Sequence, residues 1–329
     1  MDLSISIATT DQRDQLAACL DSIYRNTRRL TFEIAVVDGG STDGTLSMLQ
    51  ERFPDVRVIR NPSFAGYGRS HNQAMRERQG RYSLILNDDM QVLASALDLM
   101  VQFMDENPQV GLLGCQLLNP DGSVQPSSYL EFPRLWTEAL RFPRLRKFVH
   151  SVEHRFSPAG GSRLGTWDYY GRRNENDAQP SQVAHLMGAC LLVRSEVIEQ
   201  VGLFDETFFL SFEDQDWCKR IGESGWHVFF FPAAQMIHYG GQTVRQLSDR
   251  FAPIFLASRL HFQKKHFGPC SVLCLRFFWA TVIAAKMLVA LVSGPLVRGG
   301  RPDGSSPSWR RYVPLWQVVW SKATEVTDG

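Results

Sequence analysis

Tyr82-Ser-Leu-Ile-Leu-Asn-Asp-Asp-Met90 is the stretch on which the reading of the chain turns. Tyr82 to Leu86 has the make-up of a buried parallel strand, and Asn87, Asp88 and Asp89 follow without a spacer. Ligands of parallel α/β sheets collect at the carboxyl ends of strands. Adjacent carboxylates repel there and call for solvent or a cation. A hard divalent ion, Mg²⁺ or Mn²⁺, resolves the repulsion, because it binds through one or two carboxylates plus substrate phosphates. The plainer alternative is a solvated acidic turn.

Upstream, Leu3-Ser-Ile-Ser-Ile7 alternates as a strand, with Thr9, Thr10 and Asp11 as turn and capping residues. Leu16, Cys19, Leu20 and Ile23 keep helical spacing; Phe32 to Val37 is a second strand ending at Asp38. After Gly39-Gly-Ser-Thr-Asp-Gly44 come a helix through Phe53, a strand over Val56 to Ile59, and the loop Asn61-Pro-Ser-Phe-Ala-Gly-Tyr-Gly68 leading to a helix over Arg69 to Arg78. Beyond Met90, Leu97, Val101 and Met104 mark a helix and Val110 to Leu113 a strand. This alternation predicts a parallel sheet with helices on both faces.

Past Gly114 the rhythm changes. The Pro-Asp-Gly within Gln116 to Gln125 signals a hairpin, and residues from about Phe132 to Gln182 read as an irregular insertion near a substrate site, with a short helix around Leu135 to Leu145. Ala184 to Val193 is apolar, a short helix follows Ser195, Phe204 to Trp217 is rich in acids and aromatics, and Trp226 to Phe231 is a strand. Phe251 to Phe267 reads as a helix. Ser271 to Val297 is strongly apolar but interrupted by Arg276 and Lys286, which favours lying on a membrane or packing internally over spanning. Arg298, Arg301, Arg310 and Arg311 with Trp309, Trp316 and Trp320 give an interfacial signature, so a peripheral membrane contact through 271–311 stands beside a packed helix or a homodimer contact.

The chain has 329 residues, 44% of them hydrophobic, enough for a full core in one large domain or two. A net charge of +1 provides no basic field for nucleic acid. The six cysteines are scattered without a CxxC, and no basic-then-apolar leader opens the chain, so a cytoplasmic location, with the inner face of the membrane in reach, is expected.

Val36 to Gly44, Asn61 with Phe64 to Asn72, Leu86-Asn-Asp-Asp89, Gly188-Ala-Cys-Leu-Leu-Val193, Phe204-Asp-Glu-Thr-Phe-Phe209 and Phe212-Glu-Asp-Gln-Asp-Trp217 occur in one order. Together they resemble the family 2 glycosyltransferases, the bacterial rhamnosyltransferase-like members above all. The resemblance implies a GT-A fold over residues 1–245, with a nucleotide-binding half to about 115 and an acceptor half after it, and a helical, basic and apolar extension over 246–329. It also implies an inverting, metal-dependent transfer from a nucleotide-diphosphate sugar such as dTDP-rhamnose to a glycan or lipid-linked acceptor in cell-surface polysaccharide synthesis.

Carried onto this sequence, the resemblance makes Asp214 the general base, with Glu213 beside it. Asp89 and His238 become metal ligands for Mg²⁺ or Mn²⁺, the first aspartate of the family's Asp-X-Asp being Asn87 here. Thr9, Asp38, Gly66, Asn72, Asn87, Asp88, Gly188 and Ala189 fall to the nucleotide and donor, and Trp217 to the acceptor. Each has a plainer reading: an Asx turn for Asp38, helix capping for the Glu213–Asp216 acids, core for the aromatics, structure for a lone histidine. Rival functions are transfer of a glucosyl, galactosyl or galactofuranosyl group and a non-catalytic nucleotide-sugar scaffold. The missing Gln-X-X-Arg-Trp disfavours a processive synthase, and the missing third glycine after Gly66 and Gly68 disfavours NAD binding.

Overall fold

The computed structural model describes residues 1–134, 178–240, 250–297 and 309–321. The helix expected at 135–145, most of the irregular insertion, the loop beyond Gly240, and Arg298 and Arg301 lie outside the described residues. Two compact units are formed, Met1–Glu206 with Glu213–Gln242, and Thr207–Phe212 with Thr243–Gly329.

The first unit opens with β1 (Leu3–Thr9), α1 (Arg13–Asn26), β2 (Phe32–Asp38), α2 (Thr45–Arg52), β3 (Arg57–Arg60), α3 (Tyr67–Met75), β4 (Tyr82–Asn87), β5 (Met90–Val92), α4 (Ala96–Glu106) and β6 (Val110–Leu118). Short strands follow, β7 (Val124–Gln125), β8 (Ser128–Tyr129), β9 (Ser181–Gln182) and β10 (His185–Leu186). Then come β11 (Cys190–Arg194), α5 (Ser195–Val201), α6 (Glu213–Glu223) and β12 (His227–His238). The main sheet runs β3-β2-β1-β4-β11-β6-β12-β5, with β7 beside β6 and β9 beside β12. β8 and β10 pair separately.

From β3 to β4 the strands are parallel, as the alternation predicts. β11 then inserts antiparallel between β4 and β6, so the sheet is mixed. A parallel strand needs a crossover that returns the chain to the far end of the sheet. The chain instead enters β11 from the carboxyl end of β4, with Cys190 opposite Leu86, and runs back toward Tyr82. Leu84, Ile85 and Leu86 are fully buried at this centre, where a Leu→Ala change costs about 2–5 kcal/mol. Ser4 and Ser6, which alternation would place in water, are buried as well. Ser6 Oγ lies 2.8 Å from His71 Nδ1 on α3, and Ser4 Oγ donates to Glu33 Oε1 at 2.6 Å. The buried serines of β1 are thus satisfied by side chains, Ser6 from α3 and Ser4 from the neighbouring strand β2.

The second unit is built on α7 (Phe251–Val297), broken at Gly268, whose φ of 82° and ψ of 175° are not helical. By length and composition α7 is able to cross a membrane, and its most apolar stretch is largely uncovered. α8 (Val313–Trp320) packs on it: Arg276 Nη2 donates to Ser321 O at 2.9 Å, and the Phe277 and Trp320 rings lie 5.8 Å apart. Leu273, Phe277, Leu288, Val289, Leu291, Trp316 and Trp320 are exposed apolar residues of this unit. Within it, Ser258 Oγ donates to Leu210 O at 2.9 Å, and the Phe212 ring sits 5.2 Å from that of Phe255.

Candidate active site

Strand register gathers the site. Thr9 lies opposite Asp38, and Ala8 opposite Asn87, so β1, β2 and β4 end on one edge of the sheet. His238, the last residue of β12, lies opposite Met90 of β5. The reversed course of β11 brings its first residues to the same edge, where the Asn87 N–H donates to Ala189 O at 3.0 Å. The Gly188 N–H donates to Asp214 Oδ2 at 2.9 Å. Asp38, the Asn87–Asp89 run, Gly188, Ala189, Asp214 and His238 are thus drawn from five elements to one place.

Two of these residues suit a cation. His238 Nδ1 lies 2.6 Å from Gln125 Oε1. The Gln125 amide nitrogen donates to Asn119 Oδ1 at 3.1 Å, which turns its carbonyl toward the imidazole. Nδ1 therefore carries the proton and Nε2 offers a lone pair. That lone pair faces Asp89 Oδ1 at 3.3 Å and Asn87 Nδ2 at 3.4 Å. Asp89 is 4% exposed, and its Oδ1 receives no hydrogen bond. Two acceptors facing each other in a buried setting fit a divalent ion. Among the described residues no set of three or more His, Cys, Asp or Glu closes a metal site. The protein would supply two ligands and leave the others to phosphate oxygens and water, a division common for Mg²⁺. Burial pushes the neighbouring Asp88 carboxyl up to about 7; the Thr9 hydroxyl pulls it down and the Asp89 charge pushes it further up.

The second carboxylate centre opens α6. Asp214 Oδ1 accepts the Gln215 N–H at 2.8 Å while Oδ2 accepts that of Gly188. The residue remains partly exposed. Burial pushes its carboxyl up to about 6 against these backbone donors. Glu213 is 4% exposed, and its Oε2 has no hydrogen-bond partner. Burial, with the Asp214 charge beside it, holds Glu213 well above the usual carboxylate range. Gly188 packs closely here: a Cβ there would come into van der Waals contact, at 3.4 Å, with both Asp214 Cβ and the Tyr67 hydroxyl. That hydroxyl donates to Gly188 O, clamping the loop from its other side.

Two expected contacts are corrected. Trp217 is a core residue, fully buried, with its indole N–H donating to Gly202 O at 2.9 Å and its ring 4.3 Å from that of Phe204. It presents no surface to an acceptor. Asn72, 1% exposed, spends both amide hydrogens on Phe204 O and Glu206 Oε1, each at 2.9 Å, and accepts the Phe204 N–H at 3.1 Å. It holds a turn of the chain, and no amide hydrogen is left for a nucleotide. Asp38 makes the Asx turn, accepting the N–H groups of Gly40 and Ser41 at 3.2 Å, with lone pairs to spare. Gly66 supplies a φ of 97° ahead of α3. Gln125 and Tyr67 were not singled out in the sequence; each acts on a partner more than a hundred residues away, and only the fold shows it.

The family model for glycosyl transferase family 2 matches residues 4–202. An N-acetylglucosaminyl-diphospho-decaprenol L-rhamnosyltransferase of Mycobacterium tuberculosis is 30% identical over 244 residues, 69% of this chain and 75% of that protein. The O-antigen biosynthesis protein RfbC of Myxococcus xanthus is 28% identical over 241 residues, 72% of this chain and 17% of that one. Among solved structures, the mannosyltransferase PcManGT of Pyrobaculum calidifontis, in complex with GDP-Man and Mn²⁺, superposes with a TM-score of 0.52 at 17% identity, covering 98% of this chain and 88% of that chain. At that identity the likeness speaks for the fold, which is GT-A.

Proposed function

We propose a donor, an acceptor class and residue roles from one premise: this chain belongs to glycosyl transferase family 2 and is a glycosyltransferase. The reaction is a single inverting displacement. The acceptor hydroxyl oxygen bonds to the sugar C1, the bond from C1 to the diphosphate oxygen breaks, and Asp214 takes the hydroxyl proton. The observation that carries this is the Asp214 carboxylate, fixed by two backbone N–H groups, partly open to solvent and raised to about 6. It is ionised at neutral pH yet basic enough for the task, and general base catalysis is worth about 10²–10⁴-fold. Glu213, buried beside it, supports the opening of α6.

Asp38 meets the nucleobase and Thr9 the nucleoside, while Asn87 and Asp88 face ribose and sugar. Gly188 and Ala189 leave room beneath the donor sugar. Asp89 and His238 would hold Mg²⁺ or Mn²⁺, supported by the unpartnered Asp89 Oδ1 opposite the imidazole lone pair. When bound, such an ion supplies positive charge for the departing diphosphate.

The donor is dTDP-rhamnose and the acceptor a lipid-linked glycan, a reading supported by the mycobacterial rhamnosyltransferase relative. The exposed apolar residues of α7 and α8, with Arg310 and Arg311 exposed beside Trp316 and Trp320, suit contact with the inner face of an anionic membrane, where such an acceptor is met. The test is a panel of dTDP-rhamnose, UDP-glucose, UDP-galactose and UDP-galactofuranose with Mn²⁺ and a polyprenyl-diphosphate-linked sugar. Transfer and thermal stabilisation with dTDP-rhamnose are expected, at about 2.7 kcal/mol when the ligand stands at 100 times its Kd. Transfer from another donor alone would overturn the rhamnose assignment, and stabilisation without any transfer would favour a binding scaffold.

A further inference from the structure

We infer that Gln125, oriented by Asn119, is a positioning residue that keeps a proton out of the cation position between Asp89 and His238. The inference rests on the metal reading of that pair and adds the device that keeps the imidazole ready for it.

The device begins in the hairpin turn. Asp121 Oδ1 accepts the Ser123 N–H at 2.9 Å and its hydroxyl at 2.6 Å, and the Asn119 amide nitrogen donates to Ser123 Oγ at 2.9 Å. Asn119 is held further by its own N–H to Ser123 O at 2.8 Å. Its Oδ1 is thereby left as an acceptor aimed at Gln125 Nε2. An amide that donates on one side must accept on the other, so Gln125 Oε1 faces His238 Nδ1 and fixes the proton there. The strands hold the geometry: Gln125 lies opposite Leu117 of β6, and Ile237 of β12 lies opposite Leu118.

The reason such a device is needed is on the other side of the ring. Asp89 Oδ1, only 3.3 Å from Nε2, is the strongest alternative acceptor for a neutral imidazole. Without Gln125 only the Asn87 amide at 3.4 Å would oppose the pull of Asp89, and a proton drawn to Nε2 would fill the cation position with a hydrogen bond. Partners of this outer kind typically change metal affinity about 10–100-fold.

The test uses the full chain with ¹⁵N-labelled histidine, and Mn²⁺ alone as the probe. Long-range ¹H–¹⁵N spectra should show the Nδ1–H tautomer of His238 in the wild type and the Nε2–H tautomer in Gln125→Met, which keeps side-chain length but has no acceptor oxygen. Mn²⁺ affinity, read from the free-ion EPR signal, should fall about 10-fold or more in Gln125→Met. Gln125→Glu retains an oxygen toward Nδ1 and should restore the wild-type tautomer, which a general packing role for this side chain would not explain. A folded Gln125→Met protein with the wild-type tautomer and Mn²⁺ affinity overturns the inference, while Asp89→Ala and His238→Ala still losing the ion would leave the metal reading standing. Unchanged Mn²⁺ binding in Asp89→Ala brings down the metal site, and the inference with it.

Discussion

Replacing Asp214 by Asn separates proton transfer from folding, and the two effects carry different pH signatures. Burial raises this carboxyl from 3.8 to about 6. At about 1.4 kcal/mol for each pH unit, the ionised form costs the folded state about 3 kcal/mol, an upper bound for a partly exposed group. The unfolded chain releases its proton near 3.8 and the folded chain only near 6. Between these values the folded state binds more protons, so wild-type stability declines as pH rises through the window; the penalty is absent below it and complete above. Asn has no proton to lose. Its single oxygen can accept from Gly188 or Gln215 but not both, and the N–H left unpaired costs about 1–3 kcal/mol. Asp214→Asn should therefore be the less stable protein near about pH 4 and should draw level with, or slightly pass, the wild type near about pH 7.5. With about 1.5 °C of Tm per kcal/mol for a chain of this size, paired thermal melts resolve the convergence. Donor affinity should hold while transfer at saturating donor drops about 10²-fold or more. A melting difference that is the same at both pH values would show that the carboxyl is not raised, and an undiminished transfer rate would remove Asp214 as the base.

The remaining predictions concern the same edge and the C-terminal unit. Glu213→Gln keeps the size of a buried side chain that takes no proton in this reading, so its transfer rate should stay within about tenfold of wild type; a dead Glu213→Gln beside an active Asp214→Asn would move the base to Glu213. Wild-type kcat/KM should fall with unit slope below about pH 6 as Asp214 takes up its proton, and a flat profile down to pH 5 would contradict the assignment. Asp89→Ala should keep its melting temperature yet lose Mn²⁺-dependent binding of a nucleoside diphosphate, and metal dependence equal to wild type would refute that role. Full-length protein should float with anionic liposomes at low salt, and Trp316→Ser with Trp320→Ser should stay in the soluble fraction; co-flotation unaffected by the pair would place the contact elsewhere.

Much of the fold is legible in the sequence, because most of the decisive signals are local. A run such as Tyr82–Leu86 followed by Asn-Asp-Asp announces both a strand and the side on which its chemistry lies. Alternation at short spacing gave β1 to β4 their parallel direction, though not their order in the sheet. What stayed hidden depends on pairing across long separations. Nothing in Ala184–Val193 says that its strand runs against its neighbours. Trp217 and Asn72 sit inside the right motifs, and only their hydrogen bonds and packing in the fold show that they brace the motif. Gln125 lies in a stretch read only as a hairpin, and its meaning comes from an imidazole 113 positions away.

The inserted β11 also bears on how the protein comes into being. During synthesis β4 and β6 leave the ribosome with their mutual partner, Cys190–Arg194, still about seventy residues or more downstream and not yet made. Until it arrives, each has an open backbone edge of buried-type, apolar residues, the kind of surface that recruits other chains. A fragment ending near residue 115 would keep that edge open, because it lacks Cys190–Arg194. Completion of the sheet waits on a late, non-local pairing, which places the chain among slower folders and makes its nascent stage the point most exposed to aggregation.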